Sequence, residues 1–193
     1  MNRLLVSGLL ALAISLCALA GCVPVMVAGA VGGAAMVVAD RRSAGAQLDD
    51  ESIELKVTTR TTSEFGNRIH LNVTSYNGYV LLTGEVPDHG VWASVGNLVK
   101  NTEKVRGVHN EMVIGLLSDF SARSNDTYIT SKVKSRMIEA NKFPPNVVKV
   151  VTERGVVYLM GIVSKEEGDA AAEIAATTAG VVRVVKFFQY PST

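Results

Sequence analysis

The residues of this chain that could take part in covalent chemistry or metal binding are few and isolated. His70, His89 and His109 occur singly, and none has a cysteine or a pair of carboxylates beside it in the sequence. No set of His, Cys and Asp residues has the spacing of a metal site. The reactive side chain in a distinctive setting is the thiol of Cys22, which follows small residues at the end of an apolar stretch. The sequence therefore predicts no catalytic site and no metal or other cofactor, and it directs attention to Cys22.

The segment before Cys22 has the order of features found in a processed leader. Arg3 provides a short basic start, and residues 4–16 are almost wholly apolar but too few to span a bilayer. The ending Leu-Ala-Gly-Cys at residues 19–22 resembles the lipobox of bacterial lipoproteins, in which a peptidase cuts before the cysteine and the cysteine then carries the lipid. The resemblance implies a signal peptide at 1–21 and acylation of Cys22, with palmitate as one of the attached fatty acids. The alternative is an uncleaved membrane anchor with a chance cysteine.

Cleavage before Cys22 would change the composition of the mature protein. Cys17 would leave with the leader, so the remaining 172 residues could form no disulfide. Loss of Arg3 would lower the formal net charge from +1 to zero, which argues against nucleic-acid binding. Val23 follows the cysteine, and by resemblance to the lipoprotein sorting pattern this favours the periplasmic face of the outer membrane.

Residues 23–39 form a second apolar stretch, rich in glycine and alanine. Glycines weaken a helix, and the stretch is short for a bilayer-spanning one. We interpret residues 22–46 as an acylated N-terminus and a flexible or membrane-associated tether, with a second membrane helix as the alternative. Charged and turn-forming residues at 40–46 end the segment.

From residue 47 onward the chain repeats itself. Residues 73–86 recur as 150–163, and the alignment pairs Gly78 with Gly155 and Gly84 with Gly161. Each copy has the pattern of a helix, two strands joined by a turn, a second helix and a closing strand. We therefore predict an α+β protein with a first domain at 47–117, a linker at 118–123 and a second domain at 124–193.

Several positions of the repeat have a predicted structural role. Asp50 and Asp126 are expected to cap the first helix of each copy. Asn77-Gly78 predicts a type I′ hairpin turn, whereas Arg154-Gly155 leaves the geometry of the second turn open. Gly84 and Gly161 each lie within a predicted strand, where a glycine suggests a bulge or a close contact with the covering helix. The predicted structural glycines are Gly78, Gly84, Gly155 and Gly161.

The residues at 72–86 follow the pattern N-V-T-x-x-x-G-x-V-x-L-x-G-x-V, which resembles the BON domain. Two copies behind a lipobox resemble the dual BON-domain outer-membrane lipoproteins of Gram-negative bacteria, and the resemblance covers roughly residues 40–190. It implies two small αββαβ domains, each with a three-stranded mixed sheet covered by two helices. It also implies binding of anionic phospholipid, support of outer-membrane integrity, often at division sites, and no catalysis.

The first helix of the second copy carries the features of a membrane-contact face. Helical spacing predicts a core stripe of Ile129, Val133, Met137 and Ala140. The predicted lipid-binding residues on the opposite face are Tyr128, Ser131, Lys132, Lys134, Ser135 and Ile138. An aromatic and a β-branched side chain between lysines fits the headgroup region of an anionic membrane such as phosphatidylglycerol.

The two copies differ in charge at this helix. Residues 120–142 carry a net charge of +3, whereas the equivalent residues 48–66 carry −3. Only the second copy is therefore expected to favour an anionic surface. Ser52 and Thr62 are the first-copy counterparts of Tyr128 and Ile138.

Other interpretations remain open from the sequence. Tyr128 and Ile138 could pack against the first copy or the hairpin, and Leu55 could make an interdomain contact. The protein could instead be a periplasmic stress chaperone, which requires an exposed apolar groove. It could also be an adaptor that binds an envelope or division protein through its acidic first copy.

Overall fold

A computed structural model describes residues 40–191 of the chain. The predicted signal peptide, the lipidation site at Cys22 and the tether up to residue 39 lie outside the described residues. Among residues 40–191, no helix combines the length and the apolar character needed to cross a membrane.

Helices and strands alternate in the order predicted for two copies of one unit. Within the described residues the helices are α1 Ala44–Phe65, α2 His89–Lys100, α3 Phe120–Ala140 and α4 Lys165–Ala176. The strands are β1 His70–Tyr76, β2 Tyr79–Val86, β3 Gly107–Asn110, β4 Val113–Ile114, β5 Val148–Glu153, β6 Val156–Ile162 and β7 Arg183–Gln189. Short 3-10 turns at Gly66–Arg68 and Pro145–Val147 lead into β1 and β5.

Each copy forms a small mixed sheet with its hairpin on one side and a parallel strand on the other. In the first sheet β1 and β2 are antiparallel and β3 runs parallel to β2; β5, β6 and β7 repeat this arrangement. The first sheet differs from the predicted three strands because its last strand is broken. After β3, the chain returns to β2 as the two-residue parallel strand β4. The predicted α+β class and the αββαβ order are confirmed.

The long first helix of each copy begins earlier than the sequence predicted. Ser43 caps α1, its hydroxyl accepting from the amide of Ala46 at 3.1 Å. Asp119 caps α3, its carboxylate accepting from the amide of Ala122 at 2.7 Å. The predicted linker at 118–123 is therefore helical from Phe120 onward. The prediction that Asp50 and Asp126 cap these helices is wrong, because both lie inside them.

Each domain has its own core between the sheet and its two helices. In the second domain Ile129, Val133 and Met137 of α3 are buried as predicted, whereas Ala140 is exposed at the end of the helix. The first core is formed in the same way. Its main buried residues are Ile53, Val57, Phe65, Val80, Leu82, Val86, Val95, Val99 and Met112.

The two sheets pack against each other through the faces that the helices leave uncovered. Tyr76 and Leu81 of the first sheet form a buried cluster with Tyr158 and Met160 of the second. Residues on a strand alternate between faces, so β2 sends Leu82 to its own core and Leu81 to the domain interface. The described residues therefore form four layers, helices, sheet, sheet and helices.

Candidate functional site

The predicted lipid-binding face of α3 is open to solvent. Tyr128 is 62% exposed and Ile138 is 61% exposed. Ser131 and Ser135 lie exposed between them, and Lys134 is exposed at the edge of the face. The interpretation that Tyr128 and Ile138 pack against the first domain or a hairpin is wrong, because side chains packed in that way would be covered.

The two lysines of this face have different surroundings. Lys132 is half-buried, donates from Nζ to the carbonyl oxygen of Ala179 and lies 4.5 Å from the centroid of the Tyr128 ring. Its ammonium group therefore orients the tyrosine ring and joins α3 to the end of α4. Lys134 reaches into solvent. Of the two predicted cationic contacts, Lys134 is the more accessible.

The exposed apolar face of α3 extends further toward the start of the helix than the sequence analysis predicted. Phe120 is 80% exposed, and it precedes Ile138 by 18 residues, or about five helical turns, so the two side chains lie on the same side of the helix. Leu116, just before the helix, is 91% exposed. The sequence analysis placed the start of this helix after Phe120 and so left Phe120 out of the face. The spacing of 18 residues between Phe120 and Ile138 is the signal that could have identified it.

The corresponding face of α1 is also exposed but is differently substituted. Leu48 and Leu55 are 66% and 69% exposed, so Leu55 is not buried against the second domain. Lys56 pairs with Glu103 at 3.2 Å, an interaction between exposed groups that contributes little stability. The face therefore combines exposed leucines with an excess of acidic residues.

Asp50 stabilises the first hairpin from inside α1. Its carboxylate oxygens accept from the backbone amides of Asn77 at 2.7 Å and Gly78 at 2.8 Å, and from the Ser75 hydroxyl at 2.6 Å. Arg42 adds an ion pair at 2.8 Å. Burial acts to raise the pKa of Asp50, but these hydrogen bonds together hold it below its usual value. The aspartate is therefore charged and satisfied at neutral pH.

Asp126 repeats this arrangement in the second domain. It accepts from the amides of Arg154 and Gly155, both at 2.8 Å. The φ angles are 52° and 73° in this turn and 52° and 78° at Asn77 and Gly78, so the two turns share one geometry. Arg154 adopts a left-handed conformation unusual for its type. The hydrogen bonds that Asp126 accepts from the turn amides supply a physical reason for the shared geometry.

Gly84 and Gly161 are placed where any larger residue would overlap backbone. A β-carbon on Gly84 would overlap the carbonyl oxygen of His70, and one on Gly161 would overlap that of Val147. The predicted contact with the covering helix is wrong, because the obstructing groups precede or begin the neighbouring strand. Gly78 and Gly155 instead occupy the left-handed positions of the two hairpins.

Tertiary structure brings His70 close to two buried carboxylates. Its Nδ1 lies 2.9 Å from Oε2 of Glu85 and 4.0 Å from Oε1 of Glu153. Burial acts to raise the pKa of Glu85, but the His70 and Ser118 contacts lower it overall, whereas burial raises the pKa of Glu153. The sequence could not show this cluster, because Glu85 and Glu153 are distant from His70 along the chain.

The fold and the repeat correspond to a known domain. The family model of the BON domain matches residues 49–115 and again residues 125–191. The outer membrane lipoprotein DolP of Haemophilus influenzae is 38% identical over 174 residues, which cover 89% of this chain and 90% of that protein.

Two further relatives are similar over most of their length. The 21 kDa hemolysin of Actinobacillus pleuropneumoniae is 37% identical, covering 78% of this chain and 79% of its own. The osmotically-inducible protein Y of Escherichia coli is 28% identical, covering 71% of this chain and 70% of its own. The chain belongs to the family of dual BON-domain outer-membrane lipoproteins, which confirms the family resemblance.

Proposed function

We propose that this protein is anchored through acylated Cys22 to the periplasmic face of the outer membrane, binds anionic phospholipid through α3 of its second domain and supports outer-membrane integrity. Family membership supports the location. The lipobox-like residues at 19–22 support the anchor. The proposed activity is binding and not catalysis.

The observation that carries the lipid proposal is the exposed pairing of Tyr128 and Ile138 on one helix face. An isolated exposed apolar residue needs no explanation, but two large ones separated by small serines form a surface that can enter the headgroup region. The intervening serines leave room for lipid headgroups to approach the helix.

Charge supports an anionic lipid as the ligand. Residues 120–142 carry a net charge of +3, and each lysine near an anionic membrane surface contributes about 1 kcal/mol. Lys134 is exposed and available, whereas Lys132 holds the ring of Tyr128. Because the lipid anchor already keeps the protein at a membrane, a weak interaction of this kind would suffice to orient it.

Flotation with phosphatidylglycerol vesicles tests the proposal. The described residues 40–191 form two domains with their own buried cores, so a chain limited to residues 38–193 can be measured without the lipid anchor. Tyr128→Glu or Ile138→Glu should lower the bound fraction at least tenfold while the melting temperature stays near that of the parent. Binding should decrease with salt and be much weaker on phosphatidylcholine vesicles.

The first domain offers matched controls. Thr62 is the counterpart of Ile138 and is exposed, and Leu55 is an exposed apolar residue on the same helix. Thr62→Glu and Leu55→Glu should leave binding unchanged. Equal loss from the α1 and α3 variants, or equal binding to neutral vesicles, would refute the assignment to the second domain.

The anchor is tested separately in cells. Cys22→Ala should leave an unacylated precursor that is heavier than the mature protein on a gel, because the peptidase cuts only before a lipid-modified cysteine. Normal processing and unchanged outer-membrane fractionation of this variant would contradict the lipidation proposal.

A second function is favoured by the surface of α1. Its exposed leucines lie among acidic residues, a combination suited to a basic and apolar segment of an envelope protein rather than to an anionic membrane. If the α3 variants retain vesicle binding but Leu48→Glu and Leu55→Glu impair outer-membrane integrity in cells, the adaptor function takes precedence.

A further inference from the structure

The cluster of His70, Glu85 and Glu153 lies where the two domains meet. His70 and Glu85 belong to the first sheet, and Glu153 ends strand β5 of the second. One ligand atom from each side chain lies within 4.8 Å of the other two. Glu85 is fully buried and Glu153 is 5% exposed, which is unusual for carboxylates.

The repeat shows that these carboxylates are not required by the fold. The alignment that pairs Gly84 with Gly161 places Ile162 opposite Glu85, and it places Tyr76 opposite Glu153. At each of these two positions, one copy has an acidic residue and the other has a large, less polar residue, so the repeated fold accepts either. The Arg154 guanidinium pairs with Glu85 at 3.4 Å, whereas the ion pairing of Glu153 among the described residues is with His70, at the longer distance of 4.0 Å.

The groups around the cluster hold the carboxylates in place. Asn72 donates to Oε2 of Glu153 at 2.8 Å, which leaves Oε1 directed toward His70. Ser118 donates to Oε2 of Glu85 at 3.2 Å, and Arg154 lies 3.4 Å from its Oε1. Such outer hydrogen bonds orient the ligands of metal sites.

We propose that His70 Nδ1, Glu85 Oε2 and Glu153 Oε1 form a site for a divalent transition ion of the Zn²⁺ type that joins the two domains. Zinc binds nitrogen and carboxylate oxygen at about 2.0–2.2 Å, so a tetrahedral ion spaces its ligands by roughly 3.4 Å. The 2.9 Å contact of His70 with Glu85 must lengthen slightly and the 4.0 Å distance to Glu153 must shorten. The ion would replace the proton on Nδ1.

The surroundings leave a route for the ion and room for a fourth ligand. A cavity of about 320 Å³ adjoins the cluster and is lined by His70, Asn72, Asp126 and Glu153 among others. A water molecule from this cavity would complete a three-ligand zinc site. Because the ligands come from both domains, the bound ion would stabilise the interface between the sheets.

Titration of the 38–193 chain with Zn²⁺ tests the site. This chain contains no cysteine, so its histidines and carboxylates are its candidate zinc ligands. We expect one ion per chain by calorimetry and a zinc-dependent rise in melting temperature of at least about 3 °C, because an ion that binds only the folded state stabilises it. Mg²⁺ at the same concentration should give no rise.

His70→Ala and Glu153→Gln should each weaken zinc binding at least tenfold and abolish the zinc-dependent rise. Each variant is compared with and without zinc, so a lower melting temperature caused by the lost hydrogen bonds does not enter the result. His89→Ala and His109→Ala are the matched controls and should keep the full response. The proposal is overturned if the parent chain shows no zinc response, or if His70→Ala and Glu153→Gln both keep it.

Discussion

The first helices of the two domains share a backbone plan but present different surfaces to solvent. Each helix is capped at its first turn and packs one apolar face against its sheet. Each also has an aspartate that accepts hydrogen bonds from the amides of its hairpin. Outward, α1 shows leucines among acids and α3 shows Tyr128 and Ile138 beside lysines. The inward residues are constrained by packing and hydrogen bonding, whereas the outward residues have diverged.

The largest expected effect concerns the glycines that the domains share. Gly84→Val and Gly161→Val should each lower the free energy of unfolding by about 3 kcal/mol or more, since the new side chain must displace the backbone of His70 or of Val147. The Gly84 variant should be the worse, because its φ of 115° also disfavours any side chain. Chemical denaturation of the 38–193 chain measures both.

Gly115 provides the control for this pair. Nothing lies within 4 Å of a β-carbon built there, so Gly115→Ala should change stability by less than about 0.5 kcal/mol. Unchanged denaturation midpoints for the Gly84 and Gly161 variants would contradict the proposed overlap.

The second comparison is between Asp50 and Asp126. Asp50→Ala should cost about 3 kcal/mol and Asp126→Ala about 2 kcal/mol, because each leaves hairpin amides unpaired while Asp50 also binds Ser75 and Arg42. Urea denaturation measures both values. An equal or reversed order would show that the additional partners of Asp50 add no stability.

The pH dependence sharpens the same comparison. The pKa of Asp50 is lower in the folded protein than in the unfolded chain, so its stabilising effect is present above about pH 4 and is lost as the pH falls further. The stability of Asp50→Asn should therefore fall less between pH 5 and pH 3 than that of the parent. Parallel curves for the two proteins would contradict this.

The smallest expected effect is a partial gain of function in α1. Glu51→Lys, on the side of the exposed Leu48 and Leu55, together with Glu64→Lys near the end of the helix, changes the net charge of residues 48–66 from −3 to +1. In the Tyr128→Glu background, this change should restore a minor part of phosphatidylglycerol binding. No recovery would mean that the shape of the α3 face, and not charge alone, distinguishes the domains.

Much of the fold was predictable because it depends on local patterns repeated twice. The alternating and helical periodicities located the elements, and Asn77-Gly78 predicted its turn. The helix starts were misplaced because Asp50 looks like a cap when only its neighbours in sequence are known. The candidate lipid face was predictable in its centre but not at Phe120, which required the true start of α3.

The sequence by itself determined the duplicated αββαβ unit, the buried Ile129, Val133 and Met137 of α3 and the charge difference between the two domains, because each depends on residues close together in the chain. The tertiary structure decided which faces stay open and which partners distant polar groups find. It turned Asp50 and Asp126 toward the hairpins, placed strand backbone against Gly84 and brought His70 to Glu153 across the domain interface. These contacts join residues far apart in sequence, so the packing of the two sheets had to be known before they could be identified.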